Sequence, residues 1–323
     1  MNLRFVRLHH RDTVTRDTVT RDRSHPTGVA GWRRVPSATG RRGRLLFSLV
    51  LAAVLLVVGS CRLHGQEWRT VDVARQLRDT LPVAIKVQYA AGHLAVGAAP
   101  APLLYRMQLR YDASRSAPMT GWDTTSRTAT LGASAAQVSW RTGRSSDAGR
   151  MVLGLARSVP IALSIDVGAA EATLDLSGLW LSSLDVRCGA SETTLRFSTP
   201  SAHPLDHVTI ETGAAHFSAA QFANSGARSV LIRGALTLVE LDLTGSWQRD
   251  MQLDLELSLG KAELTVPVAV GVRVTPEGGA LSAGIEGLTK VGAVWETDGF
   301  AAAAHKLTVR SRATISGISV VRR

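Results

Sequence analysis

The chain has 323 residues and a net charge of +11, and 45% of its residues are hydrophobic while only 5% are aromatic. The positive charge does not indicate a nucleic-acid-binding domain, because residues 1–60 contain eleven Arg and three Asp, a balance of +8, and the remaining residues carry only +3. A nucleic-acid-binding domain would place its basic residues on the folded part of the chain. We therefore predict no nucleic-acid partner.

The first forty residues carry no structural pattern. They contain the pentapeptide RDTVT twice in tandem, at Arg11–Thr15 and Arg16–Thr20, and no apolar period of 3.6 or two residues extends through them. We predict a disordered basic tail at 1–40, or a true start site further along the chain.

A short apolar run, Leu45–Val58, follows a cluster of arginines and precedes small residues. This order is typical of a secretory signal, and the run is shorter than the roughly 20 apolar residues of a transmembrane helix. We therefore predict a signal peptide at 41–60, with an uncleaved anchor as the alternative.

The sequence Val58-Gly59-Ser60-Cys61 at the end of this segment resembles a bacterial lipobox, in which the signal peptidase cuts before a cysteine that becomes lipidated. The resemblance implies that Cys61 carries the lipid and anchors the chain to a membrane. The protein would then be exported and lie in the periplasm or on the cell surface. Arg62 replaces the Asp that is associated with inner-membrane retention, which is compatible with the outer membrane.

Internal repeats dominate the second half of the chain. From residue 161 the sequence divides into five units of 21 to 24 residues, each with a strand, a glycine near its middle, a second strand and a turn. The units are 161–183, 184–207, 208–229, 230–250 and 251–271, and their glycines are Gly168, Gly189, Gly213, Gly234 and Gly260.

Apolar residues alternate with polar residues within each unit, which is the two-residue period of a half-buried strand. The phase of the alternation changes across the glycine. Leu163, Ile165 and Val167 occupy odd positions in the first unit, whereas Leu174 and Leu176 occupy even positions. The same change occurs in all five units, and in the fifth it places Leu259 among the inward residues before the glycine.

A strand cannot change phase without exposing its apolar face, so a bulge or corner must absorb one residue. Glycine tolerates the dihedral angles of such a corner. A corner in every unit, with the same face kept inward, predicts a chain that coils around one core. We therefore predict an all-β, single-core β-solenoid of strand–Gly–strand repeats, preceded by a signal segment, with a β-sandwich or roll as the alternative. Isolated units bury too little apolar surface to be stable, so the units must stack.

The predicted organisation has three further segments after the signal peptide. Residues 61–82 form a tether that includes a brief helix, residues 83–160 form a less regular N-terminal β region, and residues 161–323 contain the solenoid repeats and the C-terminal strands.

The sequence contains no nucleotide-binding, zinc-protease or hydrolase motif, and we predict no catalytic residue, no metal site and no cofactor. Cys188 is interpreted as a small buried hydrophobic residue. His203 and His207 are four residues apart, but Pro204 opposes the helix that would align them as metal ligands.

Two tryptophans, Trp180 and Trp247, occupy equivalent places after similar Leu-Asp-Leu-Ser/Thr-Gly segments. They are the candidate surface-binding residues, as platforms for sugar stacking. The alternative is that they cover a solenoid corner.

Several carboxylates are predicted to point outward from the strands: Asp175, Asp185, Asp242, Asp254 and Glu256. They would form a solvated outer face, or stack into an acidic stripe that suits calcium or a basic ligand. The sequence shows no cluster of Lys or Arg beside them, which argues against the converging groove of a β-helix polysaccharide lyase.

The units IALSIDVGAAEATLDLSG and LDVRCGASETTLRF, with the run LELSLGKAELTVP, resemble the bacterial toast-rack proteins. These are related to adhesin-like β-solenoid domains and to the C-terminal domain of the LiaF envelope-stress proteins. The resemblance covers residues 83–321 and implies a cell-envelope location and a binding, structural or stress-related role. LiaF-type proteins carry several membrane helices before this domain, whereas a single short signal precedes it here.

The function expected from these features is a non-enzymatic, lipid-anchored, adhesin-like module of the bacterial cell envelope. Its partners would be the membrane, through the lipid, and an envelope protein or glycan. The alternatives are an accessory module of an envelope-stress response and a carbohydrate-active β-helix enzyme.

Overall fold

The structure is a computed structural model that describes residues 66–135, 149–277, 283–285 and 287–323. The predicted tail, the signal segment and Cys61 lie outside the described residues. Within the described ranges the chain is all-β apart from two short 3-10 helices, Phe222–Ser225 and Phe300–Ala302, as predicted. No helix of these ranges is long and apolar enough to cross a membrane.

The strands follow one another closely along the chain. The first nine are β1 (Trp68–Gln76), β2 (Val83–Ala98), β3 (Leu103–Asp112), β4 (Ser116–Asp123), β5 (Thr128–Ala135), β6 (Arg150–Leu155), β7 (Ile161–Asp175), β8 (Leu181–Cys188) and β9 (Glu192–Arg196). The others are β10 (His207–Ala220), β11 (Ser229–Asp242), β12 (Met251–Val266), β13 (Gly271–Pro276), β14 (Ala283–Ile285), β15 (Thr289–Val291), β16 (Val294–Glu296) and β17 (Lys306–Arg322).

The phase change predicted from the sequence is present in the structure. In β7 the buried residues include Ile165 and Val167 before the corner, and Ala170 and Ala172 after it. The same shift occurs between β8 and β9 and within β10, β11 and β12. Each unit is therefore one rung, which consists of a strand, a corner and a second strand around a shared interior.

The halves of the rungs form two sheets that enclose one core. The halves before the corners pair in the order β4–β5–β2–β7–β8–β10–β11–β12–β17–β13–β16–β15. The halves after the corners pair in the order β1–β3–β6–β2–β7–β9–β10–β11–β12–β17–β14. The pairing of successive rungs is parallel, and one apolar cluster runs through residues from both sides of the predicted boundary at residue 160.

The rungs do not stack in chain order at either end. β2 lies between β7 and the outer rung that β5 and β6 form, although both of these strands follow β2 in sequence. Similarly, β17 is inserted between β12 and the outer rung of β13 and β14.

The glycines at the first three corners lie where successive rungs stack closely. Gly168, Gly189 and Gly213 have no left-handed φ, contrary to the predicted reason for glycine. A Cβ on Gly189 or Gly213 would lie 3.0 Å from the carbonyl oxygen of the glycine on the preceding rung. A Cβ on Gly168 would overlap the carbonyl oxygen of Ala90, so of these three corners the first excludes a side chain, whereas at the other two the neighbouring carbonyl would have to move by a few tenths of an ångström.

The last two units depart from the prediction. In the fourth unit Ala235 occupies the corner position and Gly234 is the last inward residue. In the fifth unit the corner begins at Ser258, so that Leu259 is 46% exposed and the prediction of an inward Leu259 is wrong. Gly260 follows the corner with a φ of +149°, which is unfavourable for other residues.

The prediction of a helix within the tether is also wrong. β1 lies in this segment and pairs antiparallel with β3 at the N-terminal edge of the second sheet. Val71 and Val73 pack against the core from this edge strand, while Asp72 is exposed.

Candidate functional site: a charge ladder along the corner

The parallel register aligns outward side chains from successive rungs into columns with a spacing of about 4.8 Å. The column that lies two residues before the corner carries alternating charge, and we name it the charge ladder. Its members, in spatial order, are Gln88, Asp166, Arg187, Glu211, Arg233, Glu256, Arg312 and Glu277.

Ion pairs connect most neighbours in the charge ladder. Arg187 lies 3.1 Å from Glu211, and Arg233 lies 3.5 Å from Glu211 and 2.9 Å from Glu256. Arg312 lies 3.0 Å from Glu256 and 2.8 Å from Glu277. Exposed ion pairs contribute at most about 1 kcal/mol each to folding. The charge ladder is therefore an ordered surface rather than a major source of stability.

A groove of about 1100 Å³ runs beside the charge ladder. Its lining includes Gly189, Gly213 and Ala235, where the corners have little or no side chain. Four carboxylates and three guanidiniums of the charge ladder line the groove, which leaves one net negative charge. Such a groove does not suit a polyanion.

The outward carboxylates are interleaved with arginines, which the sequence analysis did not predict. Arg196 lies 3.0 Å from Asp175, and Arg310 lies 2.6 Å from Asp254. The hydrogen bonds of Ser177 and Arg196 lower the pKa of Asp175. The sequence analysis noted no cluster of Lys or Arg beside these carboxylates, but single arginines from neighbouring rungs pair with them, so the outer face carries mixed charge rather than the alternative acidic stripe.

The corner itself presents a second column beside the groove, which we name the corner column. Ala190 and Ala214 lie at its exposed positions on two rungs, and Leu236 and Leu259 follow on the next two. Leu236 is 56% exposed and Leu259 is 46% exposed, so two large apolar side chains lie side by side on the surface.

The outer face of the second sheet carries hydroxyl groups. Thr173, Thr194 and Ser218 lie in register on successive rungs, and we name them the hydroxyl column. The Ser218 hydroxyl donates to Thr194 Oγ1 at 3.2 Å. Glu240 and Glu263 continue this column on the next two rungs.

Trp180 and Trp247, the candidate binding residues, lie outside the groove. The ring of Trp180 stacks on His203 with 3.8 Å between ring centroids, so one of its faces is occupied. Trp247 is half-buried against the core, and its indole N–H donates to the carbonyl oxygen of Leu243 at 3.0 Å. Ligand binding by these two residues stays a prediction.

The Cys188 side chain lies inside the second corner and is 3% exposed. Its thiol donates to Thr193 Oγ1 at 3.4 Å, and burial raises the pKa of this thiol. Within the described part of the chain, no three His, Cys, Asp or Glu side chains are grouped to hold a metal ion, and His203 contacts Trp180.

A comparison with protein families gives a match over residues 65–219, which fit the N-terminal domain of toast_rack, DUF2154. This part of the chain is therefore similar to a toast-rack domain. The matched region begins before β1 and ends within β10, and β11, β12 and β17 extend its rungs in the same parallel register. No curated protein matches the chain. The relation of the toast-rack domain to LiaF-type domains stays a prediction.

Three solved structures are similar to the chain. A protein from Clostridium sporogenes ATCC 15579 that is named for cell adhesion is 11% identical with a TM-score of 0.44, covering 80% of this chain and 100% of its own. A protein named as an adhesin from Bacteroides fragilis NCTC 9343 is 10% identical with a TM-score of 0.39, covering 79% and 97%. Another from Parabacteroides merdae ATCC 43184 is 9% identical with a TM-score of 0.27, covering 80% and 97%.

Proposed function

We propose that the protein is a non-enzymatic, adhesin-like binding module of the bacterial cell envelope, exported and anchored through a lipid on Cys61. The observation that carries this proposal is the continuity of the outward columns. Side chains from rungs that are distant in sequence are aligned at one spacing, which suits a partner with repeating units. The toast-rack family and the names of the similar structures support an envelope role.

The hydroxyl column is the surface that we assign to the envelope ligand. Thr173, Thr194 and Ser218 can each donate and accept hydrogen bonds, and the carboxylates of Glu240 and Glu263 accept them. Sugar hydroxyls require this combination of donors and acceptors. The ligand class is therefore an extended envelope glycan.

Co-sedimentation of the purified full chain with isolated cell-wall glycan tests this assignment. The unaltered chain is expected to sediment with the glycan, and the double variant Thr194→Arg, Ser218→Arg is expected to lose most of the binding. Leu81→Arg is the matched control, because Leu81 is exposed and precedes the first rung. No sedimentation of the unaltered chain, or equal binding by the double variant, would contradict the assignment.

The anchor is tested separately. Replacement of Cys61 by Ala is expected to abolish incorporation of labelled fatty acid and to release the chain from the membrane fraction. Unchanged membrane retention of this variant would contradict lipidation.

The arrangement of the groove supports a non-catalytic role. Glu211 and Glu256 each contact two arginines, so their oxygens are engaged by guanidinium groups rather than directed at an open reaction centre. A lyase needs a carboxylate or other base that is free to take a proton from the substrate. Release of shorter oligosaccharides from envelope polysaccharides by the full chain, with loss in Glu211→Gln, would overturn this part of the proposal.

A further inference from the structure

The charge ladder is complementary to itself when its direction is reversed. Its eight members divide into two halves between β10 and β11, where Glu211 precedes Arg233. If a second ladder lies against it end for end, Glu211 meets Arg233 of the other copy and Arg187 meets Glu256. Asp166 then meets Arg312, and the neutral Gln88 meets Glu277, so every charge in this column avoids a charge of the same sign.

The same reversal pairs small with large side chains in the corner column. The midpoint of this arrangement again lies between β10 and β11. Ala214 of one copy then lies opposite Leu236 of the other, and Ala190 lies opposite Leu259. The two alanines and the two leucines are all exposed. Two independent columns thus become complementary about one axis.

From this we propose that the face formed by the charge ladder and the corner column binds a second copy of the chain in antiparallel orientation. The two-fold axis lies along the strand direction and passes between β10 and β11. Such an axis reverses the order of the rungs but keeps each column opposite the same column of the partner. The contact is isologous, so it closes at two copies.

The alternative orientation is electrostatically unfavourable. Two copies with parallel axes and rungs at the same height would place Arg187 against Arg187 and Glu211 against Glu211. Like charges in contact suppress an association. The next outward column has Thr209 and Leu231 at its midpoint. In the antiparallel arrangement it brings one acidic pair together, Asp185 of one copy and Asp254 of the other. Arg310 of the same copy neutralises Asp254 at 2.6 Å.

Light scattering of the purified full chain, with the mass of any bound detergent subtracted, tests this proposal. The unaltered chain is expected to have the mass of two copies, and Leu236→Asp is expected to halve the mass. Leu236 is exposed within one copy, so its replacement leaves the fold intact, and circular dichroism checks this. Val268→Asp is the control, because Val268 is 69% exposed and belongs to neither column.

An exchange of side chains tests the geometry. Ala214→Leu alone brings two leucines together and Leu236→Ala alone leaves a gap, so each single variant is expected to lower the dimer fraction several-fold. The double variant Ala214→Leu, Leu236→Ala restores one large and one small residue at the contact and is expected to recover the dimer. Three results would each overturn the proposal: the unaltered chain is a monomer, Leu236→Asp leaves the dimer intact, or the double variant fails to recover the dimer. None of these results depends on whether the chain binds glycan.

Discussion

The Oδ1 atom of Asn224 accepts a hydrogen bond from the backbone N–H of Ser246 at 2.8 Å. The amide nitrogen of the same side chain donates to the carbonyl oxygen of Phe197 at 2.8 Å. Because Phe197 follows β9 and Ser246 follows β11, one buried amide joins the turns of three successive rungs.

Replacement of Asn224 by Asp keeps the acceptor but puts an oxygen against the Phe197 carbonyl. A buried group left without its partner costs about 1–3 kcal/mol, and more when it is charged. We expect Asn224→Asp to lower the free energy of unfolding by at least this amount in urea titrations. Gln248→Glu is the control, because its exposed amide also donates to a carbonyl, that of Ser201, at 2.9 Å. Equal losses in the two variants would contradict a special role for Asn224.

Gly168, the glycine of the first corner, should not tolerate even a methyl group. A Cβ on Gly168 would overlap the carbonyl oxygen of Ala90 on the neighbouring rung, and backbone cannot move aside without separating the rungs. We expect Gly168→Ala to lower the free energy of unfolding by about 1–3 kcal/mol. In Gly97→Ala the nearest atom is 3.8 Å from the new Cβ, so a change within about 0.5 kcal/mol is expected. A neutral Gly168→Ala would show that the corners are not closely stacked.

Acid should weaken the attachment of the edge strand β1. Hydrogen bonds from Arg106 and then from Gln108 lower the pKa of Asp72 to about 2. A carboxyl group with a lowered folded pKa stabilises the fold above its unfolded pKa, near 3.8, and loses this contribution as the pH falls towards 2. The carboxyl resonance of Asp72 should therefore titrate near pH 2 in NMR spectra, and Arg106→Gln should raise its pKa. Titration of Asp72 near its ordinary value in the unaltered chain would refute this contact.

Cys188 should be unreactive in the folded protein. Its thiol is buried and burial raises its pKa, whereas the thiolate is the reactive species. We expect a thiol reagent to label Cys188 only at the rate of unfolding, and labelling to become rapid in denaturant. Rapid labelling without denaturant would contradict the placement of this side chain inside the corner.

The phase of apolar residues was sufficient to predict the fold class and most of the core. The change between Val167 and Ala170 shows why, since the inward face must be kept through each corner. The phase does not locate the corner to a single residue, however. The alternation alone allows Leu259 to lie on either side of the corner. Its register with Leu236 on the neighbouring rung places Leu259 after the corner, where its side chain is exposed.

The charge ladder was missed because its members belong to different units. Asp166, Arg187, Glu211, Arg233 and Glu256 each lie two residues before the corner position of their rung. An alignment of the units on this position would have shown the alternation of charge. The contribution of Arg312 could not be found in this way, because the insertion of β17 beside β12 depends on pairing between distant segments.

Every column that we describe depends on the spatial order of the rungs, and the outer end of the charge ladder depends on β17 lying between β12 and β13. Disulfide formation measures this order directly. Gln252 pairs in register with Thr308, and Thr308 pairs with Arg273 on its other side. Neighbouring strands are about 4.8 Å apart, within the Cα separation that a disulfide spans, whereas the next strand is about 10 Å away. We predict that Gln252→Cys with Thr308→Cys forms a disulfide in the folded chain, while Gln252→Cys with Arg273→Cys does not. The reverse result would place β13 beside β12 and contradict the account.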